Sequence, residues 1–174
     1  MRHTISILVA NQAGELSRII GLFSGRGYNV DTISVGKTLD PDLSRATIVT
    51  SGDERTVEQI VKQCSQLIRV QKVNVFSSPH IEREMALIDV DAKNGAERQE
   101  ILNLVQIFRA KVVDMSHEKM ILEASGTRDK VDTFIELLKP LGVNDVTRTG
   151  CVAINRLSPF EKTEEIREEF LNQL

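Results

Sequence analysis

The order of strand and helix patterns repeats along this chain, and the repeat restricts the fold more than any other feature. In the first half, β-branched apolar runs alternate with two amphipathic helical patterns in the order βαββαβ. Four apolar positions of the first helix recur in the second half at a constant shift of 85 residues: Leu16, Ile19, Ile20 and Phe23 against Ile101, Leu104, Val105 and Phe108. The sequence therefore predicts an α+β protein of two tandem ferredoxin-like βαββαβ units.

The second helix of each half repeats in the same way, at a shift of 74 residues. The matching apolar positions are Val57, Ile60, Val61 and Cys64 against Val131, Phe134, Ile135 and Leu138. We place the first unit at residues 1–77, a linker at 78–81 and the second unit at 82–157, with residues 143–154 as its last strand. Residues 158–174 are predicted to form a charged C-terminal helix.

Composition and charge exclude several classes of protein. The 174 residues fit one domain or two small ones, and 41% hydrophobic residues are enough for real cores. A net charge of -3 offers no basic field for nucleic acid, and no apolar run approaches the roughly 20 residues of a membrane span. Cys64 and Cys151 are far apart, and the chain enters a strand without a leader pattern. We therefore expect a reduced, cytoplasmic protein with no disulfide or zinc site.

The segment from Asn11 to Asp31 carries the most specific chemistry. Asn11 and Gly14 form a loop before the first helix, Gly25 and Gly27 end that helix, and Asn29 opens the next strand. We interpret this spacing as two amide side chains close to a helix N-terminus. Unpaired N–H groups there suit a carboxylate, and an amide both donates and accepts. Together they can hold a zwitterion such as a free amino acid.

The same residues also have a purely structural interpretation, because Asn and Gly are the commonest residues of turns. Beside the apolar stripe, Ser17, Gly21 and Ser24 form a face of small residues. That face either lets another surface approach closely or is simply solvated. The second unit lacks an equivalent of the Asn11–Gly14 loop, so we do not expect it to bind the same ligand in the same way.

Other polar residues give weaker signals. The three histidines have no metal-spaced partner: His3, His80 and His117. Asp89 and Asp91 share a strand face, where they either bind a divalent cation or stay solvated. Cys64 and Cys151 lie in apolar patterns and are expected to be buried. The residues alone thus predict no catalytic group and no metal ligand, and they favour a binding module for a small zwitterion.

Several blocks resemble one known family. The segment ISILVANQAGELSRIIGLFSGRGYNVDTISVG resembles the amino-terminal ACT domain of the small, regulatory subunit of acetolactate synthase (acetohydroxyacid synthase). Four later blocks are similar to the same family: LSRATIVTSGD, HIEREMALIDV, IFRAKVVDMS and RTGCVAINR. The resemblance covers almost the whole chain and implies an ACT domain followed by an ACT-like C-terminal domain.

The resemblance implies a regulatory subunit without activity or cofactor of its own. The expected partner is a large catalytic subunit that uses thiamine diphosphate, Mg²⁺ and FAD. That enzyme condenses pyruvate with a second 2-keto acid in branched-chain amino acid biosynthesis. The small subunit raises its activity and confers feedback inhibition by valine. ACT domains of this family pair side by side as a homodimer, with the effector sites at the interface.

The resemblance also assigns residues to the effector site. The expected valine-binding residues are Asn11, Ala13, Gly14, Glu15, Leu16, Asn29, Val30 and Ile33. Glu15 and Leu16 would supply backbone amides near the valine carboxylate, whereas Asn29 and Val30 would come from the neighbouring chain. Ser17 matches a position where added bulk disturbs feedback.

Two alternatives stay open at this point. One is an ACT-type amino-acid sensor that serves another biosynthetic enzyme. The other is a small stand-alone enzyme that uses Asp89 or Cys151. The residues after Arg156 run longer than the family pattern and have no assigned role.

Overall fold

The computed structural model describes residues 1–76 and 79–157. The first unit consists of β1 (Arg2–Ala10), α1 (Glu15–Gly25), β2 (Thr32–Lys37), β3 (Leu43–Ser51), α2 (Glu54–Ser65) and β4 (Val70–Val75). Its antiparallel sheet has the order β2-β3-β1-β4. This confirms the predicted βαββαβ order in the first half.

Both helices of the first unit pack on one face of this sheet. The buried core residues are Ile5, Ile7, Val9, Ile19, Phe23, Ala46, Ile48, Val57, Ile60 and Cys64. The stripe predicted for α1 is wrong at Leu16, which is 41% exposed. At 100° per residue Leu16 points the same way as Ile19 and Phe23, so its exposure reflects its place in the first turn, at the helix end.

The second unit repeats this architecture. It contains β5 (His80–Asp91), α3 (Gly95–Phe108), β6 (Lys111–Met115), β7 (Lys119–Gly126), α4 (Arg128–Leu138), β8 (Val143–Arg148) and β9 (Val152–Asn155). The main sheet has the order β6-β7-β5-β8. Its core is formed by Ala86, Ile88, Val90, Ala92, Ile101, Met120, Leu122, Ala124, Val131, Phe134, Ile135 and Leu138. The prediction of two tandem α+β units is confirmed.

Two details of the prediction are wrong in the second half. The single strand predicted at 143–154 is two strands, because Gly150 takes a φ of 75° and turns the chain between β8 and β9. The predicted linker at 78–81 overlaps β5, which begins at His80. His80–Arg83 pairs antiparallel with Val152–Asn155, so residues that look like a connection form a ladder with a distant segment. The predicted helix at 158–174 lies outside the described residues.

The pair His80–Arg83 and Val152–Asn155, here called the ribbon, lies against the first sheet on the face opposite the helices. Thr4 Oγ1 donates a hydrogen bond to Glu82 Oε1, and Arg2 Nη1 donates to Glu82 Oε2 over 3.1 Å. Thr4, Ser6, Thr47 and Val49 are consequently buried although they point away from α1 and α2. The second half therefore covers part of the first sheet.

Among the described residues, no helix is both long enough and apolar enough to cross a membrane.

Candidate functional site

The loop after β1 is fastened to the turn between β2 and β3. The Asn11 backbone N–H donates to the Asp42 carbonyl at 2.7 Å, and Asn11 Nδ2 donates to the Pro41 carbonyl at 2.9 Å. Gly14 precedes α1 with a φ of 89°, which side-chain-bearing residues rarely adopt. The Asn11 amide thus has the structural role that the sequence left open, and it holds the loop at one end of the sheet.

The N-terminal turn of α1 is open to solvent. Ala13, Gly14, Leu16 and Ser17 are all exposed. The first N–H groups of a helix have no intrahelical acceptor and carry the positive end of its dipole. The Glu15 N–H makes only a long hydrogen bond, to the Gln12 carbonyl at 3.4 Å. An anion can therefore reach these N–H groups without displacing a side chain from the core.

The Glu15 side chain is a feature that sequence reasoning missed. Glu15 is only 5% exposed, and its Oε1 lies 3.0 Å from Arg18 Nη1 and 3.5 Å from Arg69 Nε. Arg69 lies just before β4, and its carbonyl accepts a hydrogen bond from the Ala10 N–H at 3.0 Å. The ion pair between Glu15 and Arg69 therefore connects α1 to the segment before β4. The Glu15–Arg18 spacing of three residues is a readable helix pair, but Arg69 is distant in sequence. Two guanidinium groups and one carboxylate leave one net positive charge beside the open helix end.

Asn29 lies at the opposite end of the sheet from Asn11. The Asn29 carbonyl accepts from Thr50 Oγ1, and Asn29 Nδ2 donates to Asp31. Asn11 is bound to Asp42, and the eight residues from Asp42 to Thr50 correspond to about 26 Å of strand. The interpretation that both amides lie close together is therefore wrong within one chain. A ligand that touches both must bind between two chains.

The outer edge of β2 suits contact with another chain. Its ladder with β3 is unbroken from Thr32 to Lys37, whereas the ladder of β6 is interrupted between Val112 and Asp114. A regular open edge presents unpaired backbone groups to a partner strand, and a bulge protects an edge from such pairing. On the neighbouring helix, Gly21 has open space around it. Val30 and Ile33 pack partly buried against the core beside this edge.

The alternative chemistry centred on Asp89 and Asp91 is accounted for by contacts within the chain. The Asp91 carboxylate accepts a hydrogen bond from Asn144 Nδ2 at 2.8 Å and lies 2.6 Å from Lys93 Nζ. Both contacts lower the pKa of Asp91, and the hydrogen bond from Asn144 has the larger effect. Asp89 lies 3.4 Å from Lys119 Nζ. Across residues 1–76 and 79–157 there is no cluster of three His, Cys, Asp or Glu side chains that could hold a metal ion.

The two cysteines are buried thiols. Burial raises the pKa of Cys64 to about 11. The pKa of Cys151 is also raised to about 11, and burial is the largest of its causes. A thiol with such a pKa stays protonated at neutral pH and is a poor nucleophile. Cys151 therefore gives no support to the stand-alone enzyme alternative.

Comparison with known proteins identifies the family. Residues 5–72 match the model of the AHAS small subunit-like ACT domain, and residues 83–157 match that of the small subunit of acetolactate synthase. A probable acetolactate synthase small subunit of Archaeoglobus fulgidus is 46% identical over 156 residues, which cover 90% of this chain and 98% of that protein. This chain belongs to the acetolactate synthase small-subunit family.

Other members of the acetolactate synthase small-subunit family agree in sequence and in structure. The acetolactate synthase small subunit of Aquifex aeolicus is 43% identical over 164 residues, which cover 94% of this chain and 85% of that protein. The crystal structure of the small subunit from Thermotoga maritima superposes with a TM-score of 0.84 at 43% identity, covering 91% of this chain and 99% of that one. Family membership implies a regulatory role beside a catalytic subunit.

Proposed function

We propose that this chain is the cytoplasmic, non-catalytic regulatory subunit of acetolactate synthase. It raises the activity of the thiamine-diphosphate-dependent catalytic subunit, which also carries the Mg²⁺ and FAD, and makes that subunit sensitive to inhibition by valine. The observation that carries this proposal is the exposed N-terminus of α1 with a net positive charge from Glu15, Arg18 and Arg69, in the ACT unit of a small-subunit family member.

The effector contacts follow from the chemistry of an α-amino acid. The valine carboxylate binds the backbone N–H groups of Glu15 and Leu16 at the positive end of α1. The ammonium group binds Asn29 of the neighbouring chain, whose side chain offers an amide oxygen. Ala13, Val30 and Ile33 surround the isopropyl group, while Gly14 allows the close approach of the backbone.

A homodimer through β2 brings the two parts of this site together. When two β2 strands pair antiparallel, the start of one lies beside the end of the other. The end of β2 at Lys37 pairs with Ser44, next to the turn that holds Asn11. The start of β2 follows Asn29 and Val30. The dimer thus places these two residues of one chain near the Asn11 loop of the other.

Valine acts by binding one dimer geometry better than another, since a ligand shifts an equilibrium only by its differential affinity. The ribbon on the first sheet offers a direct connection to the second unit. Coupling is reciprocal, so the catalytic subunit must also change the affinity for valine.

Calorimetric titration with L-valine tests this function, on the chain alone and on its complex with the catalytic subunit. We expect saturable binding to wild type that is lost in Asn11→Ala and Gly14→Asp. Gly95→Asp is the matched control, because Gly95 starts α3 in the corresponding loop and has open space around it. The absence of heat in both forms of the wild type would contradict the valine site. Failure to pair with the catalytic subunit, despite valine binding, would favour an ACT-type sensor of another enzyme.

A further inference from the structure

A cavity of about 380 Å³ opens between the ribbon and the first sheet, on the face away from α1 and α2. Its polar lining comes from four strands of the two halves: Ser6, Arg45, Lys72, Asn74 and Asn155. A second cavity of about 740 Å³ lies on the other side of β9 and shares Leu8, Arg45 and Ala153 with the first. Neither cavity includes a residue of α1 or of the Asn11–Gly14 loop.

The register of the sheet places two cations in this cavity. Leu8 on β1 pairs with Arg45 on β3 and with Lys72 on β4. Since neighbouring strands lie about 4.8 Å apart, the Cα atoms of Arg45 and Lys72 are about 10 Å apart. Both side chains therefore project from the same face, on either side of Leu8.

The next row of the sheet supplies hydrogen-bonding groups. Ser6 pairs with Asn74 on β4, and Arg45 Nη1 donates to Ser6 Oγ at 3.0 Å. The guanidinium thus leans toward the row that holds the Asn74 amide. Asn155 of the ribbon lines the cavity from the opposite wall.

These two cations have no counter-charge in the part of the chain that the structure describes. Every carboxylate oxygen of residues 1–76 and 79–157 lies more than 4.0 Å from the nitrogens of Arg45 and of Lys72. By contrast, Arg2, Arg18 and Arg69 of the same unit each meet a carboxylate. Arg45 and Lys72 are both exposed, so water screens their repulsion in part, and an anion between them would offset it directly.

We propose that this cavity binds a small dianion, namely a phosphate group that is either free or carried by an organic molecule. The planar fork of Arg45 holds two phosphate oxygens, and Lys72 binds as a point charge from the other side. The amides of Asn74 and Asn155 donate to the remaining oxygens. Because Asn155 belongs to the second half, the anion joins the two halves at a place separate from the valine site.

Titration of the full-length chain with inorganic phosphate and with ribose 5-phosphate tests the site, at constant ionic strength maintained with sodium chloride. Binding is followed by amide chemical shifts of the cavity residues. We expect saturation in wild type and at least about tenfold weaker binding in Arg45→Gln and Lys72→Gln, since charge-assisted hydrogen bonds are lost. Lys62→Gln is the control, because Lys62 is an exposed lysine on α2, across the sheet.

The relative affinities of the two ligands identify the source of the phosphate group. Tighter binding of the sugar phosphate supports an organic ligand, and equal binding of both supports free phosphate. The Lys72 side chain makes no hydrogen bond to the residues that the structure describes, so a loss of binding in Lys72→Gln with an unchanged thermal midpoint reports the site rather than unfolding. The proposal is wrong if wild type shows no saturation up to 20 mM (about one hundredfold weaker than a submillimolar site), or if all variants titrate like Lys62→Gln.

Discussion

At the scale of single residues, Gly14 combines a required backbone conformation with an open environment. Its φ is 89°, yet a Cβ added there would meet no atom within 4 Å. A side chain at position 14 would therefore reduce the stability of the fold only through backbone strain.

We predict that Gly14→Ala lowers the free energy of unfolding by about 1–2 kcal/mol, the cost of a left-handed conformation for a residue with a Cβ. Urea denaturation followed by circular dichroism measures this difference. Gly95→Ala is the matched control, because Gly95 has no positive φ and equally open surroundings. A loss of equal size in both variants would contradict the assignment to strain.

Glu82 is the residue at which the two halves meet. Burial acts to raise its pKa, but hydrogen bonds from Thr4 and His80 and the charge of Arg2 outweigh burial and hold the pKa below its ordinary 4.5. A lowered pKa means that the ionised carboxylate stabilises the fold above about pH 4.5 and that this contribution disappears as the pH falls through the folded-state pKa.

We therefore predict that Glu82→Gln lowers the free energy of unfolding by about 1–3 kcal/mol at pH 7, as expected for lost hydrogen bonds to a charged group. The difference from wild type should shrink below pH 4.5. Denaturant titrations at intervals of about one pH unit, from pH 3 to pH 8, measure this difference in unfolding free energy. Glu118→Gln, an exposed glutamate, should show almost no difference at any pH. A pH-independent loss in Glu82→Gln would show that packing rather than charge is responsible.

At the scale of elements, local patterns predicted the helices well and the ends of strands poorly. The spacing of Ile19 and Phe23 identified α1 because helical periodicity is a property of the segment itself. The break at Gly150 could not be read in the same way, since alternation continues across it. Whether residues 152–155 extend β8 or pair with His80–Arg83 depends on a partner some 70 residues away.

The turn between β8 and β9 allows a direct test of ribbon packing. A Cβ at Gly150 would lie 3.0 Å from the Ile33 carbonyl oxygen, and its φ of 75° disfavours any side chain. We predict that Gly150→Ala destabilises the protein by about 2–4 kcal/mol, since strain and a backbone clash add. Thermal unfolding and hydrogen exchange of the ribbon amides measure the effect. Gly25→Ala, with open space and no positive φ, should leave both unchanged.

At the scale of the whole molecule, the geometry of the candidate site could be predicted only where it depends on neighbours in sequence, and valine binding by these residues stays a prediction. The Asn11–Gly14 loop and the open end of α1 follow from local spacing. The position of Asn29 does not follow from local spacing, because a chain that continues for 18 residues after Asn11 can reach either end of the sheet. The burial of Glu15 against Arg69 was missed for the same reason: the contact joins residues that are far apart in the sequence of the first unit.

The proposed dimer predicts that α1 faces the partner chain along its row of small residues. Gly21→Glu should convert the dimer to a monomer at micromolar concentration, because two like charges would meet across the interface. The fold should survive, since a side chain at Gly21 meets open space within the chain. Sedimentation velocity measures the mass, with Lys62→Glu on α2 as the control. An unchanged mass in Gly21→Glu would place the interface elsewhere.

The continuity of β5 has a mechanical consequence. One strand begins on the first sheet, in the ribbon, and ends in the middle of the second sheet between β7 and β8. At about 3.3 Å per residue, its twelve residues extend about 40 Å. No loop interrupts it, so a sideways displacement of the ribbon cannot be absorbed by a joint before it reaches the second core. We therefore expect a displacement near Thr4 to be passed along this strand to the second unit.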